Sequence, residues 1–204
     1  MTTWNTIATD GAIEKTIAAL KENGISAMVV GSVAEAKSAA LSLIPKHSEV
    51  MTMTSVTLEK TGIEPAINAS GEYAAVKPKL YALDRTTQGS EMQKMGAAPE
   101  YAIGSVHAVT EDGKLVVASN TGSQLPAYAY GSSHVVIVVG AQKIVPTLDD
   151  AMDRIYQYVL PLESERAHAA YGVPASNVSK LLIITKEVNP ARITVVFIKE
   201  SVGF

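Results

Sequence analysis

The chain has 204 residues, of which 47% are hydrophobic and 18% charged, with a formal net charge of −3. Those values describe a globular chain of one large domain or a domain with a small appendage, and the scattered basic residues exclude an electrostatic footprint for nucleic acid. No apolar run reaches membrane-span length, and the absence of cysteine excludes disulfides, thiolate zinc sites, cysteine-ligated iron–sulfur clusters and a cysteine nucleophile within the chain.

The opening residues MTTWNTIATDGAIEKT lack a basic segment followed by an apolar one. No signal peptide is read, and a cytoplasmic location is the expectation. Residues 11–23 carry Ile13, Ile17, Ala18 and Leu20 on one face, an amphipathic helix with Asp10 as N-cap and Gly24 as stop. An apolar strand follows at 25–30, then a helix at 33–43 capped by Ser32 and ended by Pro45. A strand at 49–53 leads to a helix at 55–61, stopped by Gly62. Helix and strand alternate, the pattern of a parallel α/β sheet.

Residues 64–82 are less regular, and a helix is expected over 86–94. Runs 101–110 and 114–119 flank Glu111-Asp112-Gly113-Lys114, and Asp-Gly between two β-rich runs predicts a hairpin. A short helix at 123–130 precedes 135–139, an unbroken β-branched run that reads as a buried central strand. Thr147 caps a helix through Val159, with Asp149 and Asp150 suited to the dipole of its first turn. Two last strands, 180–186 and 191–199, are joined too closely for a crossover helix and are expected to pair antiparallel. The fold class is therefore α/β, a mixed, mostly parallel sheet flanked by helices. The organisation is one domain over 1–204 with a C-terminal β extension at about 180–204.

Four segments in order resemble the LUD, or lactate-utilisation-domain, family of bacteria and archaea. They are TEDGKLVVASNTGSQ, VVIVVGAQKIVPTLDDAMDRI, PLESERA and the terminal PARITVVFIKESVGF. SVTLEKTGI adds the family's stretch with Ser55, Thr57, Leu58 and Gly62. The resemblance covers essentially the whole chain. It implies a fold similar to the sugar-phosphate isomerase and CoA-transferase-like superfamily, and a link to oxidation of lactate or related organic acids beside redox partner subunits. This chain is a cysteine-free member: where many relatives carry a cysteine-bearing segment, it reads YGVPASNVSKLLIITKE. Where many have a charged Asp-Gly-x-Gly-Asn-Arg loop, it reads Ser119-Asn120-Thr121-Gly122-Ser123-Gln124.

Candidate ligand-binding residues cluster at strand ends, where open α/β sheets bind small anions. The loop Asn120, Thr121, Gly122, Ser123 and Gln124 offers backbone N–H groups and hydroxyls to a carboxylate or phosphate. Its ordinary alternative is turn chemistry with Ser123 as a helix cap. Thr54 and Ser55 occupy an equivalent junction, as do Gly31 and Ser32, and each serine could simply cap a helix. Lys143, after the buried strand, can attract an anion or can flank the strand as a surface lysine. Glu111 is the candidate catalytic residue: transferases of the similar superfamily use a nucleophilic glutamate, and a carboxylate can form an acyl anhydride. Its alternative is a solvated turn residue.

His107 fits a general base or a structural ring in an alternating strand, with the latter favoured. Arg166 fits a carboxylate clamp or a local pair with Glu163 or Glu165, the pair being favoured. Tyr128 and Tyr130 read as packing residues, and the four histidines show no metal spacing, so no metal and no cofactor are expected in this chain. The leading functional expectation is lactate or related organic-acid utilisation, through binding of a small anionic metabolite or a redox partner. Two alternatives stand beside it. One is a free-standing acyl-CoA transferase-like or sugar-phosphate isomerase-like enzyme. The other is a non-catalytic assembly or regulatory protein, for which the apolar strand 193–198 would supply a homodimer interface.

Overall fold

The computed structural model describes residues 4–190 and 192–204. Helix α1 (Asp10–Glu22) leads to strand β1 (Ser26–Val30), and α2 (Val33–Ser42) leads to β2 (Glu49–Thr52). Short helices α3 (Val56–Lys60) and α4 (Ile63–Asn68) precede β3 (Ala74–Ala75), followed by α5 (Val76–Ala82) and α6 (Gly89–Ala97). Strands β4 (Tyr101–Gly104), β5 (Ala108–Thr110) and β6 (Leu115–Ser119) come next. A π-helical turn (Ala127–Gly131) enters β7 (His134–Gly140), and a 3-10 turn (Ala141–Lys143) enters β8 (Ile144–Val145). Helix α7 (Leu148–Arg154) continues through a π-helical turn (Ile155–Val159) into α8 (Leu160–Tyr171), and β9 (Lys180–Ile184) and β10 (Ile193–Ile198) follow.

Side chains start the helices as their types demand. Thr9 caps α1 by accepting from the Ala12 N–H, one residue before the expected Asp10. Asp10 instead sits in the first turn, where a carboxylate meets the positive end of the helix. Ser32 and Ser55 cap α2 and α3, and Thr147 with Asp150 forms a reciprocal capping box on α7.

The main sheet has six strands in the order β1-β10-β7-β4-β2-β3, paired parallel throughout. A second sheet runs β8-β5-β6-β9, antiparallel except for the β5–β8 pair. The mixed, mostly parallel sheet flanked by helices that the pattern predicts is therefore present. Two details differ. The run 101–110, read as one strand, is two: β4 ends at Gly104 in the main sheet and β5 begins at Ala108 in the second. Residues 105–107 cross between the sheets.

The last two strands are not partners. β9 pairs antiparallel with β6, while β10 lies between β1 and β7, parallel to both. Ile193, Val195, Val196, Phe197 and Ile198 are each fully buried. A strand that is apolar on both faces needs cover on both, which the centre of a parallel sheet provides. The expected start of this strand at Ala191, like residues 1–3 of the 1–204 domain, lies outside the described residues.

Alternation along the central strands builds two cores. Val135, Ile137, Val139, Ile193, Val195 and Phe197 face α1 and the inner side of the second sheet. Val136, Val138, Val196 and Ile198 face α2, α3 and α4. A smaller core joins the outer side of the second sheet to α7 and the π-helical turn after it through Ala108, Val116, Ala151 and Ile155. The carboxyl ends of β2, β4, β7 and β10 thus open on one edge of the main sheet.

Candidate functional site at the carboxyl ends of the parallel strands

Strand β7 ends at Gly140, and the 3-10 turn that follows aims Lys143 back across the neighbouring strand ends. Its Nζ donates to Thr57 Oγ1 at 3.2 Å, Ser105 Oγ at 3.2 Å and the Val106 carbonyl at 3.1 Å. Thr57 belongs to α3, after β2, while Ser105 and Val106 leave β4. One ammonium therefore ties together three consecutive strand ends. Lys143 is 2% exposed. Burial, and then the charge of Arg154, hold its pKa well below the ordinary lysine value.

Arg154, at the end of α7, is completely buried. Its Nη1 donates to the His107 carbonyl at 2.5 Å and its Nη2 to the Trp4 carbonyl at 3.5 Å. The guanidinium lies 5.3 Å from the Tyr158 ring centroid. Its Nε is buried without a hydrogen-bond partner among the described residues. Burial lowers its pKa to about 10. Among the described residues, no carboxylate forms an ion pair with Lys143 or Arg154. Buried charges are ordinarily paired, so this edge of the sheet is short of negative charge.

His107 lies beside both. Its Nδ1 accepts from the Ala118 N–H at 3.0 Å. Burial, then Lys143, then Arg154 push its pKa down to about 3. The ring is neutral at neutral pH, and an accepting Nδ1 places its proton on Nε2. The Nδ1 lone pair is committed to the backbone, which leaves the structural role that the sequence favoured. Tyr128 closes the cluster from below. Its hydroxyl donates to the Ser105 carbonyl at 3.4 Å, and it passes so close to Gly104 that a Cβ there would overlap the hydroxyl oxygen. Burial pushes the Tyr128 hydroxyl pKa up.

The remaining candidates lie elsewhere or are otherwise occupied. Ser55 caps α3, accepting from the Thr57 and Leu58 N–H groups at 3.2 and 3.5 Å, and Thr54 beside it is exposed. Ser32 caps α2, and the Gly31 N–H donates to Glu35 at 2.8 Å. Glu111 accepts from Lys15 at 2.7 Å on the turn that begins β6, whereas loop 120–124 follows the other end of that strand. In the loop, the Gly122 N–H donates to Ser119 Oγ at 2.8 Å and the Ser123 N–H to Thr121 Oγ1 at 3.3 Å. Gln124 bonds Ser119 and the Ala118 carbonyl, and Asn120 accepts from Ser179. Gly122 has φ +86°, and a Cβ would meet Lys180 Cδ at 2.6 Å.

Arg166 holds Glu163 with two bonds of 2.7 and 2.6 Å, and His168 Nδ1 lies 3.0 Å from the Val173 carbonyl. Tyr130 is 91% exposed, so it does not pack as expected. Two surface clefts of about 420 and 300 Å³, one lined by Tyr81, Arg85 and Tyr171 and the other by Ser164 and His168, lie away from Lys143. No metal-binding group of His, Asp or Glu side chains occurs among the described residues.

Of the sequence candidates, Lys143 and the Ser55 junction converge; Glu111 and loop 120–124 do not join them. Ser105 and Arg154 were missed as site residues. Two signals pointed to them. Gly104-Ser105 interrupts an otherwise continuous β run, and Arg154 shares the helix face of Ala151 and Ile155, which places a cation on an apolar stripe.

An open parallel sheet flanked by helices, with a second, mixed sheet on one side, makes this an α/β protein. The chain belongs to the LUD domain family, whose model matches residues 13–198. Its fold is similar to the crystal structure of a DUF162 family protein from Deinococcus radiodurans. That likeness covers 95% of this chain and 99% of the other, with a TM-score of 0.57 and 12% identity. At that identity it speaks for the fold alone. No curated protein matches the sequence. No described helix is long and apolar enough to cross a membrane.

Proposed function

We propose that this LUD-domain protein serves the use of lactate or a related organic acid by binding a small anionic metabolite at the carboxyl ends of β2, β4 and β7. The observation that carries the reading is Lys143. It is buried where three parallel strands end, and among the described residues it is held only by neutral oxygens and has no carboxylate partner. An incoming carboxylate or phosphate would supply the missing negative charge and favour the protonated form of the amine. Thr57 and Ser105 would orient it through their hydroxyls. Thr54, exposed beside Ser55, would line the approach.

The transferase alternative has less support, because Glu111 is engaged by Lys15. Partner redox subunits belong to the same proposal: with no cysteine in the chain, electron transfer must come from another protein or from a non-covalent cofactor. The test is a thermal-shift and calorimetric series of short hydroxy acids, keto acids and phosphorylated metabolites on wild type and Lys143→Met. Stabilisation of wild type by one class, lost in Lys143→Met, is expected. If no acid shifts the wild-type melting temperature, the metabolite half of the proposal fails.

A further inference from the structure

We infer that residues 200–204 form a strap that seals the Lys143 amine and must lift before a ligand reaches it. The inference rests on Lys143 as the anion-binding group. The strap leaves the end of β10 and crosses the strand ends next to it. The Glu200 carboxylate accepts from the Val33 N–H at 3.1 Å, at the start of α2. Ser201 is hydrogen-bonded to Asn5. Val202 is 3% exposed and packs in the core shared with α2 and α3.

The next bonds reach the site itself. The Val202 carbonyl accepts from Thr57 Oγ1 at 3.3 Å and from Gln142 Nε2 at 3.0 Å, and the Gly203 carbonyl accepts from Gln142 Nε2 at 3.1 Å. Thr57 Oγ1 is also the acceptor of the Lys143 ammonium. One hydroxyl therefore lies between the strap and the amine, and the residue before Lys143 holds the strap from the other side. Gly203 lies so close that a Cβ would sit 2.3 Å from Thr57 Oγ1 and 3.0 Å from the Thr57 nitrogen, at φ +69°. Any other residue there would be strained and pushed off Thr57.

The closed arrangement has a built-in cost. Among the described residues Gln142 Oε1 is buried without a donor, while Gln142 Nε2 holds the two strap carbonyls. An orphaned buried acceptor gains a partner when water enters. Lifting the strap would hydrate it, which offsets part of the lost bonding and keeps the two arrangements close in free energy. The strap also accounts for a basic side chain at the strand ends that is only 2% exposed.

The test uses an amine-acylating reagent, acetic anhydride, with peptide mass mapping, so it needs no metabolite. In wild type, Lys143 should label far more slowly than exposed Lys46. Gly203→Ala and Gln142→Ala loosen the strap from opposite sides, and each should speed Lys143 labelling on the order of tenfold. Lys77, whose side chain is 7% exposed and paired with Glu64, should keep its wild-type rate. Unchanged Lys143 labelling in either folded variant overturns the strap. So does a parallel rise at Lys77, which would mean general opening of the core. If Gly203→Ala does not fold, Gln142→Ala decides alone. Failure of every acid to bind would sink the anion reading while the labelling result stood.

Discussion

Lys143 and Arg154 hold adjacent carbonyls of the same crossing segment: the ammonium binds Val106 O at 3.1 Å and the guanidinium binds His107 O at 2.5 Å. Both cations are buried, and residues 105–107 pass from the main sheet to the second between them. The electrostatics of the site follow from this pairing of like charges across one piece of backbone.

His107 should therefore make stability depend on acid. Its folded pKa of about 3 lies below the ordinary value of 6.5. Between those values the unfolded ring takes a proton that the folded ring refuses, so stability rises with pH through this window and is lost on acidification. His107→Asn keeps an acceptor near the Ala118 N–H without a titrating ring. Urea unfolding from pH 6.5 down to 3 should show wild type losing on the order of a few kcal/mol more than the variant. Parallel losses would refute the assignment.

Lys143 acts at the other end of the scale. Its folded pKa is lowered from 10.5, so the unfolded state binds the extra proton and wild-type stability rises with pH until 10.5 is reached. Lys143→Met removes that slope. At neutral pH the variant should lie within about 2 kcal/mol of wild type, since lost hydrogen bonds are partly offset by removal of a buried amine. The wild-type advantage should widen as the pH is raised. Stability curves of equal slope would argue against a depressed amine.

Gly104 and Tyr128 should be coupled. A Cβ at Gly104 would overlap the Tyr128 hydroxyl and lie 3.0 Å from Met53 Cβ and 3.1 Å from Tyr128 Cζ. Gly104→Ala should cost roughly 1–3 kcal/mol by overpacking. Combined with Tyr128→Phe, it should cost less than the sum of the single changes. Additive free energies in a double-mutant cycle would show that the tyrosine moves aside freely.

Phe197 tests the position of β10. It is fully buried and belongs to the core between the two sheets. Phe197→Ala should cost about 3–5 kcal/mol in denaturant unfolding, the usual range for a central aromatic. A loss under about 1 kcal/mol, the scale of a surface change, would return this strand to the periphery.

Sequence alone determined the local grammar of this protein. Short apolar and β-branched runs marked the strands, Asp112-Gly113 marked the hairpin, and Thr147 and Ser55 marked helix starts, because caps and turns are set by neighbouring residues. It also carried the family, through short motifs in order, and it placed Lys143 among several candidate residues at strand ends. Tertiary structure decided the rest. Whether 193–198 pairs with 180–184 or enters the main sheet depends on which faces find cover, and both faces of β10 are covered only between β1 and β7. The break at Gly104 is a backbone event inside a continuous β-rich run, made necessary because β4 and β5 belong to different sheets. The convergence of Thr57, Ser105, Lys143 and Arg154 spans almost a hundred residues of chain and is set by which strand ends lie side by side. No local spacing encodes that neighbourhood, for strand order is fixed by burial of whole faces rather than by any residue's nearest neighbours.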